Sequence, residues 1–207
     1  GSTGKTDSAT SALRIRSARA LWDPSYKDES WVNDTIRLLP RMQEWVDEYY
    51  PGRGLSIGEY NFGADLHPSG GLAQAEARRR VGQAGVQFAF HWYWPARGGA
   101  AAQGFKAFRN FDGKGSRFLD FSLPVKTSGP VSLFASRDAT SSKLVLVALN
   151  ADPVSSAASE ISLDGCGPAG VQRVFQTTFS QRGLEPVQAK VEQAVLPPYS
   201  ISVFELT

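Results

Sequence analysis

The amino-acid sequence changes its pattern near Arg117, and this change constrains the fold more than any other feature. Before it, segments with helical spacing of apolar residues alternate with strand-like runs. After it, only short strand-like runs separated by turn residues remain. Strand-helix alternation is typical of a parallel sheet, and closely spaced strands are typical of an antiparallel sandwich. The sequence therefore predicts an α/β chain, with βα units in residues 1–114 and a β-sandwich in residues 115–207.

The first part is predicted to contain four helices and two strands. The second helix is amphipathic, and its spacing places Trp45 in the core. Two strands cannot form a parallel sheet alone, so we expect the chain to be part of a longer protein. The predicted helices cover 7–21, 36–50, 71–83 and 101–110, and the strands begin at Leu55 and Val86.

The second part is predicted to be structural. It contains no Trp, and Tyr199 is its only Tyr, whereas a sugar-binding module usually presents a flat aromatic platform. Its predicted strands cover 131–136, 143–149, 160–163, 171–175, 190–196 and 201–206.

Composition excludes several classes of site. The formal net charge of +2 is too small to indicate a nucleic-acid partner. Cys166 is the only cysteine, and there are two histidines, so neither a disulfide nor a cysteine- or histidine-rich metal site is expected. No apolar run approaches the roughly 20 residues of a membrane span, and we expect no membrane partner.

The strand that begins at Leu55 ends in the strongest candidate for chemistry, Glu59-Tyr60-Asn61. An acid at the carboxyl end of a strand occupies the position of catalytic groups in α/β barrels. The alternative is a rim carboxylate that only ends the strand. Polar neighbours such as Tyr60 and Asn61 are suited to hold a carboxylate in its ionised form. The next strand also ends in a notable cluster, His91-Trp92-Tyr93-Trp94.

A polar, proline-containing loop carries Trp22, Tyr26 and Trp31. Aromatic side chains on a loop either pack locally or bind a ligand. Flat rings suit the faces of sugars, so both alternatives stay open for each Trp.

Four groups of short motifs, in order and at similar spacing, resemble one enzyme family, glycoside hydrolase family 44. Its members are bacterial endo-β-1,4-glucanases that often also act on xyloglucan. The resemblance is clear over about residues 12–122 and implies the carboxyl-terminal part of a (β/α)8 TIM barrel followed by a β-sandwich. The motifs are Leu21–Tyr26 with Asp28–Trp31, Ile36–Arg41 with Tyr49–Gly52, Glu59–Gly63 with Ser69–Ala75, and Phe108–Ser116.

The resemblance also implies roles for residues. The family is retaining, and Glu59 matches its nucleophile, while the acid/base Glu belongs to an amino-terminal part outside this chain. Retaining hydrolysis needs two carboxyl groups about 5–5.5 Å apart. Trp92 matches an aromatic that stacks on the sugar, and Trp22 and Trp31 resemble residues of the cleft. The predicted substrate-binding residues are Trp22, Trp31, Tyr60, Asn61, His91, Trp92 and Trp94.

The implied partners are a β-glucan polysaccharide or oligosaccharide and the amino-terminal part of the same secreted bacterial enzyme. No cofactor is required, although family members can carry a structural calcium. No ligand set is identifiable here, and 112–115 is predicted to be a turn between barrel and sandwich. Two rival hypotheses remain: a non-catalytic carbohydrate-binding fragment, and a sandwich that serves as an interaction domain.

Overall fold

The structure is a computed structural model that describes residues 4–127, 130–140, 142–159, 161–162, 170–180 and 182–207. Its helices are α1 (Ser8–Ser17), α2 (Leu38–Tyr49), α3 (Pro68–Gln83) and α4 (Ala100–Arg109), and short 3-10 helices cover Ala18–Leu21 and Val191–Gln193. Its strands are β1 (Ser56–Tyr60), β2 (Phe88–His91), β3 (Phe121–Leu123), β4 (Val131–Arg137), β5 (Leu144–Asn150), β6 (Ala157–Ser159), β7 (Val171–Thr177), β8 (Glu185–Val187), β9 (Ala194–Leu196) and β10 (Ser200–Leu206). Within these described ranges, no helix is both long and apolar enough to cross a bilayer.

The strands form one parallel pair and two antiparallel sheets. β1 and β2 pair in parallel, as the strand-helix alternation predicts. The larger antiparallel sheet has the order β3-β4-β5-β10-β7-β8, and β6 pairs with β9. The predicted α/β fold with antiparallel strands in its second part is therefore confirmed. A complete barrel is not formed by β1 and β2, and the division at residue 114 stays a prediction.

Two predicted strands differ in position from the observed ones. Ile161 and Ser162 lie outside any strand, and the nearby pairing is made by β6 instead. The segment 190–196 begins as a 3-10 helix, which buries Val191 against the large sheet before β9 starts. Cys166, and the two ends of the predicted strand 160–163, lie outside the described residues.

One continuous core joins the helices to the large sheet. α3 and α4 cross closely because Gly104 faces α3, where a Cβ atom would lie 2.6 Å from the Gly71 carbonyl oxygen. Their apolar side chains then pack directly on one face of the large sheet, and the other face packs against β9 and the 3-10 helix before it. Because both faces are covered, every residue of β5 and β10 is buried. The helix–sheet core comprises Leu72, Ala75, Ala107, Phe108, Phe111, Phe134, Val145, Val147, Leu149, Phe175, Ile201 and Val203.

A polar network secures the turn after α4 to the same sheet. The Asp112 carboxylate accepts hydrogen bonds from Lys114 N (2.8 Å), Ser116 N (3.0 Å) and Arg173 Nη1 (3.0 Å). Arg173 also pairs with Glu205 on β10. Burial opposes ionisation of Asp112, but the hydrogen bonds from Ser116, Lys114 and Arg173 outweigh it and hold the pKa of Asp112 well below its usual range.

The parallel pair is covered on one face and open on the other. Tyr60 and His91 face the helices, where they contact α3 and α4 respectively. Phe88 and Phe90 lie on the opposite face, more than half exposed, with ring centroids 6.4 Å apart. Parallel sheets are normally covered on both faces, so this apolar surface lacks its cover in the described part of the chain. Trp45 is 51% exposed, and its predicted place in the core is wrong for this chain.

Candidate active site

Glu59 lies near the carboxyl end of β1, on the open face of the parallel pair. Its side chain is exposed, whereas the next residue, Tyr60, is half-buried toward α3. The Tyr60 hydroxyl accepts a hydrogen bond from Gln74 Nε2 at 2.8 Å, and burial raises its pKa. β1 is irregular here, because its register with β2 shifts between Ile57 and Tyr60, and Glu59 is exposed in this stretch. The Glu59 side chain is therefore exposed, whereas the Tyr60 hydroxyl is turned toward α3.

Trp92 lies beside Glu59 at the end of β2. Its backbone N–H donates to Tyr60 O at 2.8 Å, which continues the parallel pairing beyond the strands. His91, the last residue of β2, faces α4, and Trp92 lies in the bend that follows it. The Trp92 side chain is 46% exposed, and the Trp94 side chain is almost fully exposed. An acid and exposed aromatic rings thus share one end of the sheet.

Asn61 and His91 lock the ends of the two strands together. Asn61 Nδ2 donates to Trp92 O at 3.0 Å and lies 3.4 Å from His91 Nε2. His91 Nδ1 lies 3.0 Å from Tyr93 O, a carbonyl that can only accept, which assigns the proton to Nδ1. This contact holds Tyr93 in a left-handed conformation with φ of 74°. Asn61 and His91 therefore position the site.

The expected support of the Glu59 charge by Tyr60 and Asn61 is not found. The Tyr60 hydroxyl is bonded to Gln74, and the Asn61 amide is bonded to Trp92 O and to the N–H of Gly63. Neither side chain bonds to Glu59 in the described structure. The reason is the alternation within β1 for Tyr60 and the turn after β1 for Asn61.

Two cavities meet at Asn61. One, of about 330 Å³, lies between α1 and the loop that contains Tyr26 and Glu29, and the other, of about 650 Å³, lies beside His67 and Tyr93. Trp31 directly follows this loop wall and is almost fully exposed. Trp31 does not line the first cavity itself, whereas Trp92 lies at the end of β2 beside the end of β1.

Trp22 lies elsewhere. The Arg80 guanidinium stacks over the Trp22 ring at 4.2 Å from its centroid. Arg80 lies about 18 Å along α3 from Pro68, as the rise of an α-helix dictates. The Pro68 end of α3 is the end nearer to Glu59, so Arg80 lies at the far end. The structure therefore does not bring Trp22 together with Glu59, and local packing accounts for its burial.

Glu29, one of two acids that line the first cavity, forms an ion pair with Arg16. Glu29 accepts from Arg16 Nε at 2.6 Å and from the Tyr26 hydroxyl at 3.0 Å. The hydrogen bond from Arg16 is the largest of the effects that lower the pKa of Glu29 to about 2. Glu29 is therefore unsuited to donate a proton. Within the described residues, no group of three or more His, Cys, Asp or Glu side chains is arranged to hold a metal.

Sequence reasoning missed Arg14, which is the main support of the site. The Arg14 side chain is 5% exposed and bonds to Phe62 O (3.0 Å), Ser69 Oγ (2.7 Å) and Lys5 O (2.7 Å). It therefore ties α1 to the turn after Glu59 and to the start of α3. In the sequence, Arg14 has helical spacing from Ser11 and Ala18, which predicts that the three residues share one face of a helix. The structure shows that this face is buried.

Known proteins resemble this chain in sequence and in fold. No protein-family model matches the chain. Endoglucanase A of Paenibacillus lautus is 32% identical over 214 residues, which cover 97% of this chain and 30% of that protein. A xyloglucanase of Paenibacillus polymyxa from glycoside hydrolase family 44 is 29% identical, with a TM-score of 0.87 over 98% of this chain and 42% of the other. By sequence and by fold, this chain belongs to glycoside hydrolase family 44.

The family assignment extends over almost the whole chain. A bifunctional glucanase-xylanase, CelM2, from a metagenome library is 31% identical, with a TM-score of 0.89 over 98% of this chain and 40% of the other. The match includes the antiparallel sheet, which resembled the family by pattern alone. The chain corresponds to a carboxyl-terminal part of these glycoside hydrolases and spans less than half the length of each.

Proposed function

We propose that this chain is the carboxyl-terminal part of a retaining endo-β-1,4-glucanase that acts on cellulose-type or xyloglucan-type β-glucans. Glu59 is its nucleophile, and the acid/base Glu belongs to an amino-terminal part of the same enzyme. The observation that carries the proposal is the exposed carboxylate of Glu59 beside Trp92 at the carboxyl end of a parallel strand pair. The proposal is also supported by the structure of a similar Paenibacillus polymyxa xyloglucanase of family 44 with xyloglucan.

The chemistry follows from this position. The ionised Glu59 attacks the anomeric carbon, the glycosidic bond breaks, and the second Glu transfers its proton to the leaving oxygen. Water then attacks the anomeric carbon while the second Glu takes its proton, and the Glu59 carboxylate leaves as the glycosyl-enzyme bond breaks. Trp92 supports the sugar ring at this point, because an aromatic face packs against the C–H bonds of the sugar. We further propose that the enzyme is secreted by a bacterium, since an insoluble or polymeric substrate does not enter the cell.

The missing part has a defined place in this proposal. The open face with Phe88 and Phe90 needs cover, and the edges of a two-stranded sheet carry unpaired N–H and C=O groups. The remaining barrel strands would supply both the cover and the second carboxylate.

The test is Glu59→Gln in the complete enzyme, with Glu44→Gln as the matched control. Glu44 lies exposed on α2 in a pair with Arg37, so its loss should leave turnover unchanged. Glu59→Gln should retain oligosaccharide binding and lose well over 90% of turnover, because the amide cannot act as the nucleophile. Such a loss corresponds to more than about 1.4 kcal/mol of transition-state stabilisation. Activity above a tenth of wild type would rule out Glu59 as nucleophile.

A second experiment separates the two carboxylate roles. In Glu59→Ala, added azide should attack the anomeric carbon from the face that Glu59 vacates and give a glycosyl azide of inverted configuration. A product of retained configuration would assign Glu59 as the acid/base. If the complete enzyme bound oligosaccharide but never hydrolysed it, the carbohydrate-binding hypothesis would be correct.

A further inference from the structure

The first turn of α3 packs directly against the turn that follows Glu59. Gly70 has no room for a side chain, because a Cβ atom there would lie 2.3 Å from the Ala64 carbonyl oxygen and 2.7 Å from that of Gly63. The Ala64 carbonyl also accepts a hydrogen bond from the N–H of His67 at 2.8 Å. A shift of this first helical turn therefore displaces the residues that follow Glu59.

The His67 side chain caps the amino-terminal end of α3. Its Nδ1 atom accepts a hydrogen bond from Ser69 N at 3.3 Å, and it lies 2.9 Å from the Ser69 hydroxyl. A backbone N–H can only donate, so this contact assigns Nδ1 as the nitrogen without a proton. The cap therefore depends on the neutral form of the imidazole.

Ser69 connects this cap to Arg14. The buried Ser69 hydroxyl accepts a hydrogen bond from Arg14 Nη1 at 2.7 Å, which leaves its own proton available to His67 Nδ1. Arg14 in turn donates to Phe62 O at 3.0 Å. A chain of hydrogen bonds thus runs from His67 to a carbonyl three residues after Glu59.

Protonation of His67 is incompatible with this arrangement. An imidazolium offers no acceptor to the N–H of Ser69, which is one of the donors that a helix start leaves unpaired. It also places a positive charge at a helix amino terminus, where the helix dipole disfavours it, and near the Arg14 guanidinium.

The surroundings of His67 favour its neutral form. The ionisable side chains around it are Arg14 from α1, Tyr199 before β10, at 6.1 Å between ring centroids, and Asp65 and Tyr93, which line the same cavity. Burial raises the pKa of Tyr199, so this ring carries no charge at neutral pH. Burial, followed by the charge of Arg14, lowers the pKa of His67 below its ordinary value of 6.5.

We propose that neutral His67 is a positioning residue for Glu59, and that its protonation loosens the turn after Glu59 and limits catalysis at acid pH. This inference rests on the proposed function of Glu59. Because folding lowers the pKa of His67, its stabilisation is complete above the unfolded pKa of about 6.5 and is lost as the pH falls through the folded pKa.

The test compares the complete enzyme with its His67→Asn variant. The side-chain oxygen of Asn can replace Nδ1 as the acceptor of the cap, but it does not bind a proton in this pH range. Hydrogen exchange, measured by mass spectrometry, reports the protection of residues 62–72, with 144–150 of β5 as the internal reference. Between about pH 7.5 and pH 5, the exchange rate of 62–72 in wild type relative to the variant should rise about threefold or more.

The same comparison applies to catalysis. Glu59 titrates in both enzymes, so the ratio of their kcat/KM values removes its contribution. This ratio, variant over wild type, should rise about threefold or more over the same pH range. His67→Ala lacks the acceptor at every pH, so its segment 62–72 should exchange faster than that of wild type at about pH 7.5, and this difference should narrow at about pH 5.

The decisive quantity is the change of each ratio with pH, so a uniformly weaker cap in His67→Asn does not affect the test. An exchange ratio that stays constant with pH would overturn the proposal, and so would a constant kcat/KM ratio beside a changing exchange ratio. If the complete enzyme hydrolysed no β-glucan, the proposed function would fail, and the exchange ratio would still decide whether His67 controls this turn.

Discussion

Replacement of Arg14 by Ala tests whether the turn after Glu59 is held from α1. The change removes three hydrogen bonds from a charged donor and leaves the Phe62 carbonyl without that partner in a half-buried place. A hydrogen bond to a charged group contributes about 1.5–3 kcal/mol, and such contributions are not additive. We therefore expect a loss of about 2–4 kcal/mol in the free energy of unfolding.

Arg16→Ala is the matched control, two residues along the same helix. Arg16 makes a bidentate pair with Glu29, but both side chains are about two-fifths exposed, at 42% and 40%. An exposed pair of this kind contributes about 0–1 kcal/mol. The two variants thus remove the same side chain from the same helix, and differ in burial and in the nature of the partners.

Urea denaturation of both variants gives the comparison, with the slope of the transition checked for each. In the complete enzyme, Arg14→Ala should also lower kcat, because Phe62 is three residues from Glu59, whereas Arg16→Ala should not. Equal losses of stability in the two variants, or a loss below about 1 kcal/mol for Arg14→Ala, would refute this reasoning.

Three further predictions concern the open face of the parallel pair and Asp112 in the turn after α4. Trp92→Ala should weaken binding of a cello-oligosaccharide by about 1–3 kcal/mol in calorimetry, whereas Trp45→Ala, at similar exposure on α2, should leave it unchanged; equal effects would contradict a stacking role. Asp112→Asn should cost about 1–2 kcal/mol at pH 7. Folding lowers the pKa of Asp112, so its carboxylate stabilises the fold fully above the unfolded pKa of about 3.9, and this stabilisation is lost as the pH falls through the folded pKa. The difference in free energy of unfolding between wild type and variant should therefore narrow below about pH 4. A difference that stays constant down to pH 3 would contradict this assignment. The chain alone should bind a hydrophobic dye and self-associate through Phe88 and Phe90, and a double change of both to Glu should reduce both effects. A monodisperse monomer that hydrolyses glucan would show that the chain needs no other segment.

Much of the first part could be predicted from local signals. Asp7 accepts a hydrogen bond from Thr10 N at the start of α1, as a capping residue should. Pro and Gly residues mark the ends of the helices and strands there, so β1 and its terminal Glu59 were found at the expected place. The exposure of Glu59 does not follow from strand alternation alone, because β1 is irregular between Ile57 and Tyr60.

The remaining features depend on contacts between distant segments. Trp22 on a polar loop carries no sign that Arg80, far along the chain, stacks over it. Trp45 has the spacing of a core residue, yet it is exposed because the described chain provides no surface against it. Arg79 stands in a run of three arginines that is typical of an exposed helical face, and only the packing of α3 on the sheet reveals its burial.

The parallel pair presents its half of the site in a fixed geometry. Asn61 joins the two strand ends, His91 fixes the turn at Tyr93, and Arg14 fixes the turn at Phe62. These contacts lie on the helix side or at the strand ends, so they do not depend on what covers the open face. A catalytic carboxylate must be held within about 0.5 Å of its productive position, and rigid elements provide this better than loops do. The positions of Glu59 and Trp92 are therefore set by contacts within this chain, and under the proposed function the second carboxylate would be placed by the segment that covers the open face.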